Sequence, residues 1–446
     1  MSIKFKLVDE SGLPGTTAQV WVAGWINGGS QEHFKVLKGN KFTRPSKTEP
    51  PTSVPFQKLS DVSNVVLEDK TNGDDRLLFV VSKDKPQDLT VTSNNPIQYT
   101  QYPYANMPGI EAPGPFDVFE FGLDAQLNLS AVSGFGLNLR FDVEGPDGPQ
   151  YGMRKDVSRA QIAEAFMKFM KNQAKTSPAA AHFLPLLYST PLTKGGFQPP
   201  LVDNQFFAIC DPNDWLASKS GNYQKTTDDP LATYWDETLD RFFSPGNVLS
   251  INLGSKAAPR LYEGSCTTQT RSGLGSSRHT QAYTLTGPAG TFHFYKPETG
   301  LKSSQYVFQQ SFGVGLTPAG AAGDAGLLQD CIWEALCRGV ALDGVLTTET
   351  AKSAQTAFST SKWNDWSKWY EAGNTCHYYS KFLHYSDSDG NDSRLSGKPS
   401  LMLNQAAYGF SMDENPVGPY DGPEVPSKTN ENIKSGAVTI TVGKWT

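Results

Sequence analysis

The sequence predicts an α+β protein: a β-sandwich or barrel interrupted by a mixed α/β segment. Three observations predict it. Short runs of β-forming residues fill the first 150 positions. Helical periodicity with a capping signal begins near Ser158. A strand-like run then closes the chain, and a lone terminal strand must pair somewhere to satisfy its backbone. The expected division is a β domain of residues 1–150 plus 404–446 and an inserted α/β domain of residues 151–403. A cleft between two such lobes is a common place for a ligand.

Each element follows from its residues. AQVWVAGWI (18–26) alternates, and RLLFVVS (76–82) is a compact apolar strand. DLTVTS (88–93), FDVFEFGLD (116–124), LNLSAVS (127–133) and FGLNLRFDV (135–143) continue the pattern, with Pro and Gly between them at 50–55 and 107–115. Ser158 and Gln161 form a capping box ahead of Ile162, Phe166, Phe169 and Met170, which predicts a helix over 158–173. A second helix is predicted over 234–243, with Asp236, Glu237 and Asp240 on its wet face. A third spans 324–338, carries Leu328, Ile332 and Leu336 on one face and stops at Gly339. NVLSINL (247–253), AYTLTG (282–287) and FHFYK (292–296) read as strands, 411–427 as a loop, and AVTITVGKW (437–445) as the terminal strand.

Composition narrows the class. Of 446 residues, 38% are hydrophobic, 11% aromatic and 19% charged, which excludes wholesale disorder. Gly and Pro make up 71 of the 446, a turn-rich content that suits β structure better than a helical bundle. A net charge of −6 lacks the basic excess of a nucleic-acid binder. Lys35, Lys38, Lys41, Arg44 and Lys47 read as a solvated loop. No apolar run approaches the roughly 18 residues that span a bilayer. MSIKFKLVDESG has no hydrophobic signal core, so the chain is expected to be cytosolic, exported by an unusual route, or a mature form without its leader. Cys210, Cys266, Cys331, Cys337 and Cys376 form no metal-like spacing and no disulfide scaffold, although one isolated disulfide stays open. His377 and His384 are too few for a zinc site.

Several segments, in order along nearly the whole chain, resemble glycoside hydrolase family 64, the microbial β-1,3-glucanases, and through them the thaumatin-like fold. They are GDDRLLFVVS (73–82), FDVFEFGL (116–123), SAVSGFGLNLRF (130–141), YWDETLDRFFSPGNVLSINLG (234–254), FHFYKPET (292–299), NTCHYYSKFLH (374–384) and AYGFSMDEN (407–415). The resemblance implies a thaumatin-like β-barrel domain, an inserted α/β lobe and a wide cleft for a β-1,3-glucan chain. It also implies an inverting mechanism, with one carboxylic acid protonating the leaving oxygen and a carboxylate opposite activating water. By the same resemblance the protein would act outside the cell. Neither metal, cofactor, nucleic acid nor membrane is expected as a partner, and a monomer is expected.

The resemblance makes Glu120 the general acid. Phe119 and Phe121 point to the opposite face of its strand, while Val118, Gly122 and Asp124 share its own. A glutamate beside apolar walls holds its proton more readily, as that role requires. Without the resemblance, Glu120 reads as an ordinary exposed strand glutamate. The family's base is an Asp in a Val-Asp-x-Phe setting, and here the segment is Val132-Ser133-Gly134-Phe135. A second cleft acid of thaumatin-like proteins falls at Asn128. Serine cannot deprotonate water near neutral pH, and losing a positioned base costs roughly 10²–10⁴ in rate.

Other carboxylates could substitute. Asp124 lies about 13 Å from Glu120 along an extended strand, beyond the roughly 6.5–9.5 Å of an inverting pair. Asp142 and Glu144 sit at a strand exit. Asp413 matches the family's Asp in a loop that returns to the cleft, with Glu414 beside it; loop capping or an ion pair with Arg76 is the alternative for Asp413. Arg76 could hold Glu120 or a sugar hydroxyl, although its charge would oppose the acid role. Trp363, Trp366, Trp369 and Tyr370 recur at helical spacing, suited either to stacking on glucose rings or to core packing. Trp215, Trp235 and Trp333 read as core, Asp387-Ser-Asp389-Gly-Asn391-Asp392 as an acidic turn, and SGLGSS (272–277) as a flexible loop.

The expected catalytic residues are therefore Glu120 and Asp413. The expected substrate-binding residues are Arg76, Asp124, Asn128, Ser133, Glu414, Trp363 and Trp366. Two functions follow: an endo-β-1,3-glucan hydrolase with an atypical or missing base, or a catalytically inactive glucan-binding or antagonistic protein, toxin-like or structural, that uses the same cleft without the chemistry.

Overall fold

The protein is described by a computed structural model covering residues 2–27, 34–44, 52–68, 75–92, 98–99, 112–121, 126–129, 131–188, 206–220, 229–271, 278–309, 323–350, 353–403, 430–433 and 435–446. A curled half-barrel of β-sheet dominates it. Among the described residues this sheet has 14 strands. From one end it begins with Met402–Leu403, Gln150–Met153 and Leu139–Val143, then Gly436–Val442 and Ile3–Asp9. It continues through Asn64–Leu67, Lys41–Thr43, Lys35–Lys38 and Gln19–Ile26, and ends with Asp75–Ser82, Phe116–Phe121, Gln126–Asn128 and Asn430–Asn432, while Gln57–Lys58 pairs with Gln19–Ile26 off this path. Alternation builds it: Ile3, Phe5 and Leu7 are buried while Lys4 and Lys6 are exposed between them. The terminal strand Gly436–Val442 pairs parallel with Ile3–Asp9 and antiparallel with Leu139–Val143, so both chain ends are stitched into the same sheet.

Two sequence expectations are corrected here. Residues 35–43 are not a solvated loop but a hairpin of this sheet, because Val36, Leu37 and Phe42 bury while the lysines do not. Nor is the run 135–143 the one continuous strand expected. Gln126–Asn128 and Leu139–Val143 belong to the large sheet, and Gly134–Phe135 between them pairs with Ala208–Cys210 in a separate three-stranded sheet.

The helix Arg159–Gln173 starts at the predicted box, with Ser158 Oγ accepting from the Gln161 N–H and Gln161 Oε1 accepting from the Ser158 N–H. Its apolar face packs Phe166 and Phe169 edge-on against Phe382 at 5.0 and 5.7 Å, which joins it to the helix Tyr378–Tyr385. The second predicted helix is shorter, Asp236–Phe242, after a 3-10 turn over Pro230–Thr233. Asp236 is not simply wet, since its carboxylate accepts from Gly300 N–H and Ser303 Oγ. The third, Asp324–Cys337, ends as expected before Gly339, which adopts a φ of 76° that favours glycine. A second sheet runs in the order Gly290–Tyr295, Arg278–Gly287, Leu261–Arg271, Val248–Asn252, Ser353–Ser359, Gly344–Thr350.

Two apolar clusters result, one inside the half-barrel and one among the helices and the second sheet. Trp235 and Trp333 are in the second, whereas Trp215 is only partly buried and touches both. Arg159 also ties them together. Its guanidinium lies 3.6 Å from the Phe206 ring and 4.4 Å from Trp445, and donates to the carbonyls of Gly136 and Phe207 at 2.5 Å each. A fully buried cation is tolerated only with such partners.

Candidate functional site

Register defines the site around Glu120. Glu120 lies directly across from Arg76 on one side and Asn128 on the other, and Arg76 lies across from Trp25. Directly opposed residues share a face, so Trp25, Arg76, Glu120 and Asn128 form one row across four strands. Phe119 and Phe121 turn the other way, onto Phe5 at 5.7 and 5.0 Å. Arg76 Nη2 donates to Glu120 Oε1 at 2.8 Å, with the two side chains 17% and 21% exposed. The pair is thus reachable from solvent while Trp25 and Asn128, at the ends of the row, are buried. A guanidinium, a carboxylate and an amide in one row offer donors and acceptors for sugar hydroxyls. Asp124, Asp413 and Glu414 lie outside the described residues. Asp142 is remote from Glu120 in the sheet order, and lies 3.8 Å from the Arg140 guanidinium.

Asn128 is paired with Glu120 on the neighbouring strand, and Ser133 lies beyond the end of that strand. Ser133 is exposed on the bend after that strand has left the large sheet. Its carbonyl accepts the Asp211 N–H at 3.2 Å. Asp211 is buried and caps the helix Pro212–Ser220, accepting from the N–H groups of Asn213 at 2.7 Å and Asp214 at 3.2 Å. Burial, and then the neighbouring Asp214 charge, push the Asp211 carboxyl well above the usual carboxylate range. Burial pushes Asp214 up to about 6. Sequence reasoning missed this pair. Its signal was Asp-Pro-Asn-Asp, an N-cap residue followed by Pro at the first helical position.

The tryptophans divide. Trp363 is 3% exposed, packs on Phe242 at 6.0 Å and accepts the Trp369 indole N–H at its carbonyl at 2.7 Å. It cannot stack on a sugar, which corrects its place among the substrate-binding candidates. Helical spacing fails because the chain breaks after Thr360–Trp363: Asp365 caps a new turn over Trp366–Lys368, and Tyr370 adopts a φ of 57°. Trp369 is buried under the Arg338 guanidinium at 3.8 Å, and only Trp366 keeps part of its face open.

Elsewhere the polar groups are structural. Asp387 accepts from the N–H groups of Asp389 and Asn391 at 2.9 and 2.8 Å, and Asp392 caps Ser393–Ser396 while binding Arg394. All five cysteines are buried free thiols, so the disulfide that the sequence left open does not form. Among the described residues no group of three His, Cys, Asp or Glu side chains could hold a metal ion, and no helix is long and apolar enough to cross a membrane.

No protein-family model and no curated protein sequence matches the chain. Solved structures do. A β-1,3-glucanase domain (GH64) from Clostridium beijerinckii superposes with a TM-score of 0.60 at 16% identity, over 99% of this chain and 98% of that one. A laminaripentaose-producing β-1,3-glucanase in complex with laminaritetraose gives 0.60 at 14% identity, over 100% and 99%. The GH family 64 laminaripentaose-producing β-1,3-glucanase from Paenibacillus barengoltzii, complexed with laminarihexaose, gives 0.52 at 14%, over 99% and 75%. The chain therefore shares its fold, from end to end, with GH64 β-1,3-glucanase structures.

Proposed function

We propose that the protein recognises β-1,3-glucan chains and hydrolyses their internal bonds as an inverting glycoside hydrolase. The glucan would lie in a cleft between a thaumatin-like domain (1–150 plus 404–446) and an inserted lobe (151–403). The observation that carries this reading is the Glu120 row: a carboxylate and a guanidinium that solvent can reach, with the buried Asn128 amide paired beside them. The fold shared with proteins solved in complex with laminaritetraose and laminarihexaose supports the choice of ligand. Glu120 takes the acid role, and Arg76 holds a sugar hydroxyl, while the buried Asn128 sits behind them in the row. A sugar hydroxyl that binds the Arg76 guanidinium would compete with its ion pair to Glu120. Asp124, Asp413, Glu414 and Trp366 remain candidates for further contacts.

Neutral Asn128 and Ser133 favour a second reading, a glucan binder without turnover. Reducing ends released from laminarin or curdlan between pH 4 and 8 decide between them. Release that Glu120→Gln abolishes supports the hydrolase. Co-sedimentation with insoluble glucan but no release supports the binder, and the absence of both release and co-sedimentation would remove both readings.

A further inference from the structure

The outer face of the second sheet is open across all six strands. Register sets His293, Thr284, Ser265, Val248, Ala357 and Val345 side by side in one row, one residue from each strand. Directly opposed residues share a face. Residues of the other parity, such as Phe294, Tyr283 and Leu249, turn into the core. None of the six is buried, and Val248 and Val345 are 38% and 57% exposed. With the usual spacing between strands the row is roughly 24 Å long. One end of it is wired in advance. Gln269 Nε2 donates to Thr267 Oγ1 at 3.1 Å and to Thr284 Oγ1 at 2.6 Å. The Thr284 hydroxyl continues the chain by donating to His293 Nδ1 at 3.0 Å, which puts the imidazole proton on Nε2. That imidazole lies 6.3 Å from the Tyr295 ring and within 29° of parallel to it. Side chains that already hold one another lose less freedom when a ligand arrives. Charge is scarce on this face. In the row and in its two neighbours, which run through Thr286 and through Thr267, Glu263 is the only residue of fixed charge among those described.

We propose that this face is a second glucan contact, a track along which a neutral β-1,3-glucan chain lies on a sheet separate from the Glu120 row. The inference rests on the glucan reading above and holds for the hydrolase and the binder alike. Charge decides the occupant. A nucleic acid or an acidic partner needs cations, and these rows offer none. A pyranose presents hydroxyl edges and apolar C–H faces, and the row presents both kinds of partner. The rings of His293 and Tyr295 take the apolar face of one glucose unit. His293 Nε2 and the Thr267 hydroxyl bond its edge. Further units cross Ser265 onto the apolar end at Val248 and Val345. Each such contact is weak by itself. An insoluble glucan offers many chains, so this face and the Glu120 site are filled together and their strengths multiply. A short oligosaccharide fills them one at a time.

The test compares full-length wild type with the double variant His293→Ala, Gln269→Ala. Isothermal titration counts laminarihexaose sites, co-sedimentation measures binding to curdlan, and the urea midpoint checks folding. Wild type should bind two hexasaccharides per chain and the double variant one. Curdlan binding should weaken by roughly tenfold in the double variant. His293→Phe, which keeps a flat ring without the N–H donor, should lose less. If the double variant unfolds, Val345→Glu replaces it, at the exposed far end of the row, and the same losses are expected. One hexasaccharide per chain in both proteins, with equal curdlan binding, would overturn the second contact while the glucan reading stands. Loss of the only hexasaccharide site would make this face part of the Glu120 site and overturn it as a separate contact. A wild type that is dimeric without glucan, beside a monomeric variant, would give the face to a second copy and overturn the proposal. A wild type that binds neither hexasaccharide nor curdlan would instead overturn the glucan reading beneath it.

Discussion

Two acidic regions of this molecule differ in what lies beside them. Glu120 faces a guanidinium, at a position solvent can reach. Asp211 and Asp214 face each other and two phenols, Tyr188 and Tyr379, with Arg159 the cation whose charge also reaches Tyr188. Burial beside a cation and burial beside another acid are opposite environments for a carboxyl group. An acid–base reaction needs two carboxyls in unlike surroundings, because identical ones would compete for the same role. Burial raises the Asp211 and Asp214 carboxyls and so favours their protonated form, whereas Glu120 is held in an ion pair.

The sharpest way to break the comparison is Glu120→Gln. The amide keeps the shape and can still hydrogen-bond a sugar, but it cannot donate a proton to a leaving oxygen. Laminarin hydrolysis should fall by about 10²–10⁴, while co-sedimentation with insoluble glucan persists. A variant that hydrolyses at the wild-type rate would strip Glu120 of the acid role. Next in size is the contrast between Trp363→Ala and Trp366→Ala. Trp363 is buried, and its truncation should cost about 3–5 kcal/mol in urea unfolding. Trp366 is only partly buried and should cost clearly less. Equal losses would mean that the segment packs as the continuous helix its spacing suggests.

What was legible in the sequence follows from how local each signal is. The helix Arg159–Gln173 needed only Ser158, Gln161 and a 3.6-residue period, and all three lie within its own span. The Glu120 strand was legible because alternation is local, and its Phe119 and Phe121 face the interior as parity requires. The Trp363–Tyr370 run has helical spacing too, but two short caps, at Asp365 and at the left-handed Tyr370, override it. The Asp211–Asp214 pair was hidden for another reason. It becomes interesting only when Asp211 meets Ser133, and that meeting depends on a strand pairing between segments some 75 residues apart. Nothing local in either segment announces that meeting. Arg159 was missed likewise, since a helix-start arginine gives no hint that its guanidinium will be fully buried between Phe206 and Trp445.

The acidic pair should also tune stability with pH. Folding raises the Asp214 carboxyl from an ordinary value near 4 to about 6, so the folded state binds more protons than the unfolded one. Its contribution is therefore fully present below about pH 4 and lost as pH rises through about 6. Asp330, also lifted to about 6 by burial, acts in the same direction. Melting temperature should fall between pH 5 and 7, and each of Asp214→Asn and Asp330→Asn should flatten part of that slope. A melting temperature that rises over this window in wild type would contradict the buried-acid assignment.

The smallest expected effect on folding tests the other half of the comparison. An ion pair whose partners are 17% and 21% exposed contributes at most about 1 kcal/mol to stability. Arg76→Met keeps the aliphatic stem and removes the charge, so its unfolding midpoint in urea should shift little. Its affinity for laminarihexaose should fall by about tenfold, the cost of losing one charge-assisted hydrogen bond of roughly 1.5 kcal/mol. The two readouts separate a residue that holds the sheet together from one that holds a ligand. A large stability loss with unchanged affinity would make Arg76 a structural clamp on Glu120 and would move the sugar-binding face away from this row. A small stability loss with weakened binding would fix the Arg76–Glu120 pair as the surface on which a glucan chain is read.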